Sequence, residues 1–442
     1  MISRWIFAAA FLLVLNHSAA QQKPNIIYIM TDDLGYADLS CYGRKDYQTP
    51  NLDKLASQGM KFTQAYAAAP VCTPTRTAFM TGRYPARTSI GLLEPWTPVK
   101  RDSAIGLNAS DYSVAALVKK EGYETALIGK WHLGATETDH PNKRGFDDFY
   151  GFLGGGRSYF PLKNPSQEAM LQHNSKKVHF NGYLTDVLGD YAVNYIKQHK
   201  NSPFFMYLAF NAVHTPMQAK TEHLEKYKNH ARKELAAMTW SLDENIGKII
   251  KKLEELQLAE NTLIYFISDN GGAHNNSSTN GNLKGWKGNE FEGGHRVPFI
   301  MSWKSHIKPN QTFDGLSSSL DIFTTSLAAA NISIDEKWQL DGENLLPYVT
   351  GIKSGNPHNT LYWRKLDESA IRYKNLKLIA FLAFLLHLNS ITAQFVPCER
   401  SYTVFYNPLL QKIKSLDDFN GNIDLGKSSD ILPLAGTTFG PN

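Results

Sequence analysis

Five apolar runs rich in β-forming residues, at 26–30, 125–129, 204–210, 262–268 and 297–303, return along the chain with helical patterns between them. This alternation is what most constrains the fold. Parallel strands need long crossovers, so helices set between strands cover a mostly parallel sheet on both faces. The helical patterns lie at 51–59, 111–122, 186–199 and 224–258. The second opens on Ser/Asp chemistry and closes at Gly122, as capping requires. No repeat and no low-complexity linker interrupts residues 21–355, which read as one large α/β domain. In such folds ligands gather at the carboxyl ends of the strands.

Composition narrows the class. Of the 442 residues 42% are apolar and 20% charged, enough to bury a large core. Lys plus Arg exceed Asp plus Glu by 46 − 41 = +5, too mild an excess for a nucleic-acid binder and compatible with an anionic substrate. Cys41, Cys72 and Cys398 cannot staple a chain of this size, and no CxxC pair suggests a zinc ribbon.

Residues 1–20 have the layout of a secretory signal: Arg4, an apolar stretch over 5–15, then Ser18-Ala19-Ala20 before Gln21. That stretch is about half the length of roughly 20 residues that a membrane anchor needs. A secreted or periplasmic protein without a stable membrane anchor is expected. Residues 374–394 repeat the layout, with Lys374 and Lys377 before an apolar run at 378–388, and FLLHLNSITAQ at 384–394 follows FLLVLNHSAAQ at 11–21. Targeting is read at the N-terminus, so a signal here has no function. The segment is either an ordinary buried helix or strand, or the mark of a fusion or frameshift that makes 380–442 an atypical tail.

Polar residues follow the strands. The first strand ends in Asp32-Asp33 and the fourth in Asp269-Asn270, hard oxygen donors suited to Ca²⁺ or Mg²⁺. Either pair alone would usually be a turn or helix cap; both at strand ends favour a metal. Lys130 and His132 follow the second strand, His214 the third, and Lys284 and Lys287 lie in a basic loop after the fourth. Together they would form an anion pocket beside a general acid or base. Cys72-Thr73-Pro74-Thr75-Arg76 reads as a helix start running to Gly82, with Arg76 one turn beyond Cys72 on the same side. Residue chemistry alone suggests either a buried structural cysteine or a low-pKa thiolate nucleophile favoured by the helix N-terminus.

The C-x-P-x-R pattern at 72–76, followed by Thr81-Gly82-Arg83, resembles the active-site motif of type I sulfatases, in the alkaline phosphatase superfamily. The resemblance extends over about 21–379 and takes in PNIIYIMTDDLGYADLSCYG, TPNLDKLASQG, GYETALIGKWHLG, RGFDDFYGF, ISDNGG and WKGNEFEGGHRVPFIMSW, in order. It implies that Cys72 is converted to Cα-formylglycine by a maturation enzyme and that its hydrate is the nucleophile. It further implies one Ca²⁺ held by Asp32, Asp33, Asp269, Asn270 and the modified Cys72. Arg76 would steady the hydrate, while Lys130, His214 and Lys287 would clamp the sulfate. His214 would protonate the leaving alcohol, and His132 would take the proton whose loss expels sulfate. The implied substrate is a sulfate ester, on a sulfated small molecule or glycan; by placement alone, Arg157, His173 and His179 in the loop-rich 150–185 region are candidates to read the sugar. A phosphodiesterase or phosphonate hydrolase of the same superfamily and a glycan-binding pseudoenzyme are the competing readings. LYWR at 361–364 and SAIRYKNLKLI at 369–379 resemble the opening hairpin of the family's small C-terminal antiparallel subdomain, so 356–379 is expected to begin it, and the family pattern stops at Ile379.

Overall fold

The run at 26–30 lies at the centre of the main sheet. The computed structural model describes residues 23–99, 104–108, 112–366, 368–382 and 391–397. Its strands are β1 (Asn25–Thr31), β2 (Met60–Phe62), β3 (Ala65–Tyr66), β4 (Glu124–Lys130), β5 (Asp148–Phe152), β6 (Gln172–His173), β7 (Lys176–Lys177), β8 (Phe204–Ala209), β9 (Thr262–Ser268), β10 (Phe299–Ser302), β11 (Gln311–Phe313), β12 (Ser317–Ser318), β13 (Thr360–Lys365), β14 (Glu368–Tyr373), β15 (Leu376–Leu382) and β16 (Ile391–Pro397). The helices are α1 (Pro50–Ser57), α2 (Cys72–Thr81), α3 (Val114–Lys120), α4 (Leu184–Gln198), α5 (Thr221–Lys226), α6 (Lys233–Glu255), α7 (Glu292–His295), α8 (Asp321–Ala329) and α9 (Leu346–Val349).

The main sheet runs β11-β2-β10-β9-β1-β8-β4-β5-β6-β7. β1 pairs in parallel with both β9 and β8, β4 joins β8 in parallel, and β5 joins β4. β10, expected at 297–303, runs antiparallel to β9, and β6 and β7 close the other edge as antiparallel pairs. The central strands β1, β8 and β9 are buried at every position because both faces are covered. In β1, Ile26, Tyr28 and Met30 enter the core on one side, and Ile27 and Ile29 enter the core on the other. Helices α2, α3 and α8 pack together, as do α1, α4 and α6.

The helix expected at 224–258 is two helices. Between Leu224 and Leu235 the 3.6-residue apolar period lapses, and nothing there can pay for burial of a continuous helix. The chain instead turns at Tyr227, and α5 folds back so that His223 Nδ1 meets Ser241 Oγ of α6 at 2.7 Å. The expected cap on α3 is present: Ser113 accepts from the Ala116 amide at 3.0 Å, and Gly122 follows with φ of 85°.

Strands β13 to β16 form a separate antiparallel sheet. Leu361, Trp363, Ala370 and Ile379 pack with Tyr66 and Leu316 of the main domain, and Trp363 Nε1 donates to the Ala67 carbonyl at 2.8 Å. The hairpin expected to stop at Ile379 goes further: β15 reaches Leu382 and pairs along its length with β16. Lys377, the second cation of the signal-like layout, is buried between Glu292 Oε1 at 3.3 Å and His295 Nε2 at 2.7 Å. Alternation of buried Lys377 and Ile379 with more open neighbours is strand periodicity, which a continuous apolar run conceals. Residues 1–22, 383–390 and 398–442 lie outside the described residues, and with them the signal segment and most of the tail.

Candidate active site

The register of two strands brings the carboxylates together. Thr31 of β1 pairs with Ser268 of β9, so the next residues, Asp32 and Asp269, emerge side by side from the carboxyl edge. Lys130 is the last residue of β4, two strands away, and α2 points its first residue, Cys72, at the same edge. Cys72 Sγ lies 3.4 Å from Asp32 Oδ1. Ligand atoms of Asp32, Asp33, Cys72 and Asp269 all lie within 4.8 Å of one another, and all four residues are buried.

Three cations meet these three carboxylates. Lys130 Nζ is 2.6 Å from Asp32 Oδ2, Arg76 Nη2 is 2.8 Å from Asp269 Oδ2 and 3.9 Å from Asp32 Oδ1, and Lys287 Nζ is 2.7 Å from Asp33 Oδ1. Arg76 is further held by the Lys130 carbonyl and the Tyr207 hydroxyl, both at 3.3 Å. His214 directs Nε2 to within 3.7 Å of Asp33 Oδ2, while its Nδ1 donates to the Thr215 carbonyl at 2.7 Å. His132 is buried, has a φ of 62°, and donates from Nε2 to the Trp96 carbonyl at 2.9 Å.

Burial and these charges set the protonation states. Burial works against the Asp32 carboxylate, but Lys130, with His214 and Arg76, outweighs it and holds the group below its usual value. Burial and the like charge of Asp32 raise Asp269 despite Arg76. Burial opposes the Lys287 cation, yet Cys72, Asp33 and Asp32 raise it well above the ordinary lysine value. Burial, then Lys130 and Arg76, push His132 well below the ordinary histidine value, so its ring is neutral. Of the two readings of Cys72, the buried cysteine is the one its surroundings favour: burial first, and the Asp269 charge second, raise the thiol. The helix N-terminus does not outweigh burial among carboxylates.

The donor set fits a hard cation. Asn270 Nδ2 donates to Asp33 Oδ1 at 2.8 Å, which leaves Asn270 Oδ1 buried and without a partner among the carboxylates. Such an orphaned oxygen has a large desolvation cost that a cation would offset. Three carboxylates and one amide oxygen are hard donors of the kind Ca²⁺ takes.

The structure brings Cys72, Arg76, Lys130, Asp32, Asp33, Asp269, Asn270, Lys287 and His214 into one cluster, with His132 on its border. Lys284 instead lies over the Phe291 ring, 4.2 Å from its centroid. His173 is tied to Asp148 at 3.0 Å on edge strand β6, and His179 is exposed. Arg157 is buried, with its guanidinium 5.1 Å from the Phe180 ring centroid and 6.0 Å from that of Phe152. Several contributors were not legible from residue type. Asn276 Nδ2 and Ser278 Oγ both donate to the Asp33 carbonyl at 3.0 Å, fixing that turn. The Trp96 carbonyl is a backbone group and gives no residue-type signal. Gly155 lies so close to His132 that a Cβ there would sit 2.5 Å from Nε2.

The chain as a whole is similar to known proteins. The Sulfatase family model matches residues 24–332. Human N-acetylgalactosamine-6-sulfatase is 34% identical over 351 residues, which cover 75% of this chain and 66% of that protein. Human steryl-sulfatase is 33% identical over 442 aligned positions, covering 80% and 74% respectively. The chain thus spans about two thirds to three quarters of the length of these relatives. The crystal structure of Ps i-CgsB in complex with k-i-k-neocarrahexaose superposes with a TM-score of 0.77 at 39% identity, covering 84% of this chain and 86% of that one. Family model, relatives and fold agree: this chain belongs to the sulfatase family.

Proposed function

We propose that the protein is a sulfuric ester hydrolase acting on a sulfated carbohydrate, cleaving R–O–SO₃⁻ with water to R–OH, inorganic sulfate and a proton. The observation that carries this reading is Cys72 at the head of α2, 3.4 Å from Asp32 inside a cluster of three buried carboxylates and three buried or half-buried cations. Cys72 oxidised to Cα-formylglycine and hydrated would supply the nucleophilic hydroxyl, and Ca²⁺ at Asp32, Asp33, Asp269 and Asn270 would supply Lewis-acid charge for a sulfate oxygen. The remaining work falls to side chains of this chain. Three cations already balance three carboxylates, so the charge of a metal leaves a net positive pocket for the ester. Lys130 and Lys287 hold the sulfate, and Arg76 orients the modified residue from one helical turn away. His214 presents Nε2 to the leaving oxygen as general acid. His132 accepts a proton at Nδ1 as sulfate departs.

The carbohydrate assignment is supported by the sugar in the name of the human relative and by the hexaose bound to Ps i-CgsB. Arg157, His173 and His179 are the candidates for reading that sugar. The signal-like layout of residues 1–20 supports a periplasmic or secreted location; among the described residues no helix is long and apolar enough to cross a membrane. The test is direct. Protein co-expressed with a formylglycine-forming maturation enzyme is digested, and the peptide carrying Cys72 is weighed. Sulfate release is then measured over a panel of sulfated oligosaccharides, an aryl sulfate and an aryl phosphate diester. Full activity in Cys72→Ala, or faster turnover of the diester than of any sulfate ester, overturns the reading.

A further inference from the structure

Among the described residues His132 holds its place through a single polar contact of the ring, and that contact belongs to a segment gripped from the C-terminal sheet. The ring donates from Nε2 to the Trp96 carbonyl, while Nδ1 is buried with no hydrogen-bond partner among the described residues. A carbonyl oxygen can only accept, so the contact fixes the proton on Nε2 and leaves the lone pair on Nδ1. Trp96 is itself tied to the nucleophile's helix: its amide donates to Thr73 Oγ1 at 3.1 Å, and Thr73 Oγ1 donates to the His132 carbonyl at 3.3 Å.

Two residues earlier, Glu94 has a side chain only 2% exposed, and what holds it comes from the tip of the β13–β14 hairpin. Arg364 Nη1 is 2.8 Å from Glu94 Oε1, and the Leu366 amide donates to Glu94 Oε2. The path Arg364/Leu366–Glu94–Trp96–His132 is therefore continuous, through two charge-assisted hydrogen bonds, two peptide units and one tautomer-setting hydrogen bond. Arg364 and Leu366 lie about 230 residues after His132 in the chain, on a sheet that contributes none of the clustered residues at the strand edge.

We propose that the tip of the C-terminal sheet is a positioning device for His132: Arg364 and the Leu366 amide hold Glu94, and the segment from Glu94 to Trp96 holds the ring in the Nε2–H tautomer with Nδ1 free. Glu94 and Arg364 are positioning residues and touch no substrate. The proposal rests on the sulfatase reading for what His132 does, and not for how it is held. Neutral His132, set by burial and the neighbouring cations, is what makes the tautomer matter.

The test has two independent readouts on the full chain. With ¹⁵N-histidine labelling, His132 is assigned by comparison with His132→Gln, and its tautomer is read from the ring nitrogen shifts. The parent should show Nε2–H, and Glu94→Ala a mixture. Kinetically, Glu94→Ala should lower kcat on the order of 10- to 100-fold, as misplacing a catalytic group does, with KM within about twofold. Arg364→Ala, at a half-exposed side chain that folding tolerates, should lower kcat in the same sense by less, and Arg364→Lys should restore part of it. If Glu94→Ala fails to fold, Arg364→Ala decides. An unchanged tautomer, an unchanged kcat or a loss confined to KM in the deciding variant overturns the proposal. A parent that folds with Cys72 converted yet releases no sulfate overturns the sulfatase reading instead, and the tautomer readout then judges this proposal alone.

Discussion

At the residue scale the site is a set of buried charges that stabilise one another, so single substitutions have two costs. Asp269→Ala removes an acceptor for Arg76 and leaves that buried guanidinium without its 2.8 Å partner. Breaking such a pair costs about 3–5 kcal/mol, and it removes a metal-ligand candidate as well. We expect a lowered melting temperature, weaker Ca²⁺ binding by calorimetry, and at least about a 10²-fold loss of turnover, the scale of losing one preorganised electrostatic partner. Turnover that survives exhaustive chelation would show the metal assignment to be wrong. Gly155 gives a second residue-scale expectation. A methyl there would press within 2.5 Å of His132 Nε2, so Gly155→Ala should displace the ring from the Trp96 carbonyl. A kcat loss on the order of tenfold at unchanged circular dichroism is expected, and parent-like kcat would show that the ring or loop adapts freely.

At the element scale, the loop that carries Lys287 runs straight into α7, and α7 is bonded to β15. Glu292 and His295 of α7 hold Lys377, while Glu290 has both carboxyl oxygens buried without a hydrogen bond among the described residues. Burial is the main cause that pushes the Glu290 carboxyl up to about 8. A raised folded-state value means the neutral form is favoured on folding. That contribution is complete below the unfolded value near 4.5 and is lost as pH climbs to about 8. Thermal stability should therefore fall across that window, and Glu290→Gln should flatten the slope. The expectation is checked by melting curves between pH 5 and 9; an identical pH dependence in parent and variant would count against it. Glu292 works in the opposite direction. Burial would raise it, but Lys377, His295 and Tyr66 bring it down to about 2, so its contribution is complete above the unfolded value of 4.5 and is lost as pH falls to about 2.

At the scale of the whole molecule, the open matter is the tail. Two strands alone are marginally stable, and β15 and β16 complete a four-stranded sheet on the hairpin. The signal-like composition over 374–394 still marks 380–442 as atypical, and limited proteolysis with mass readout should cut after roughly 380–395 and leave a folded core. A tail as resistant as the core would remove the fusion reading. Much of the fold was written in local pattern. Each of the five expected strands is present, because a mostly apolar run is stable only when covered on both faces. The motif around Cys72 and the acid pairs after β1 and β9 were legible for a similar reason: the chemistry needs those residue types at strand and helix ends. What the sequence left open was the pairing of groups far apart in the chain. Lys130 meets Asp32 across 98 positions, Arg76 meets Asp269 across 193, and Asn270 meets Asp33 across 237. The thiol state of Cys72 depends on that assembly, as does the burial of Lys377. The backbone carbonyl that orients His132 carries no side-chain signature at all. Local periodicity determined the strands and the edge where polar residues collect. Only tertiary structure decided which charge faces which, because desolvation and Coulomb attraction act through space and not along the sequence.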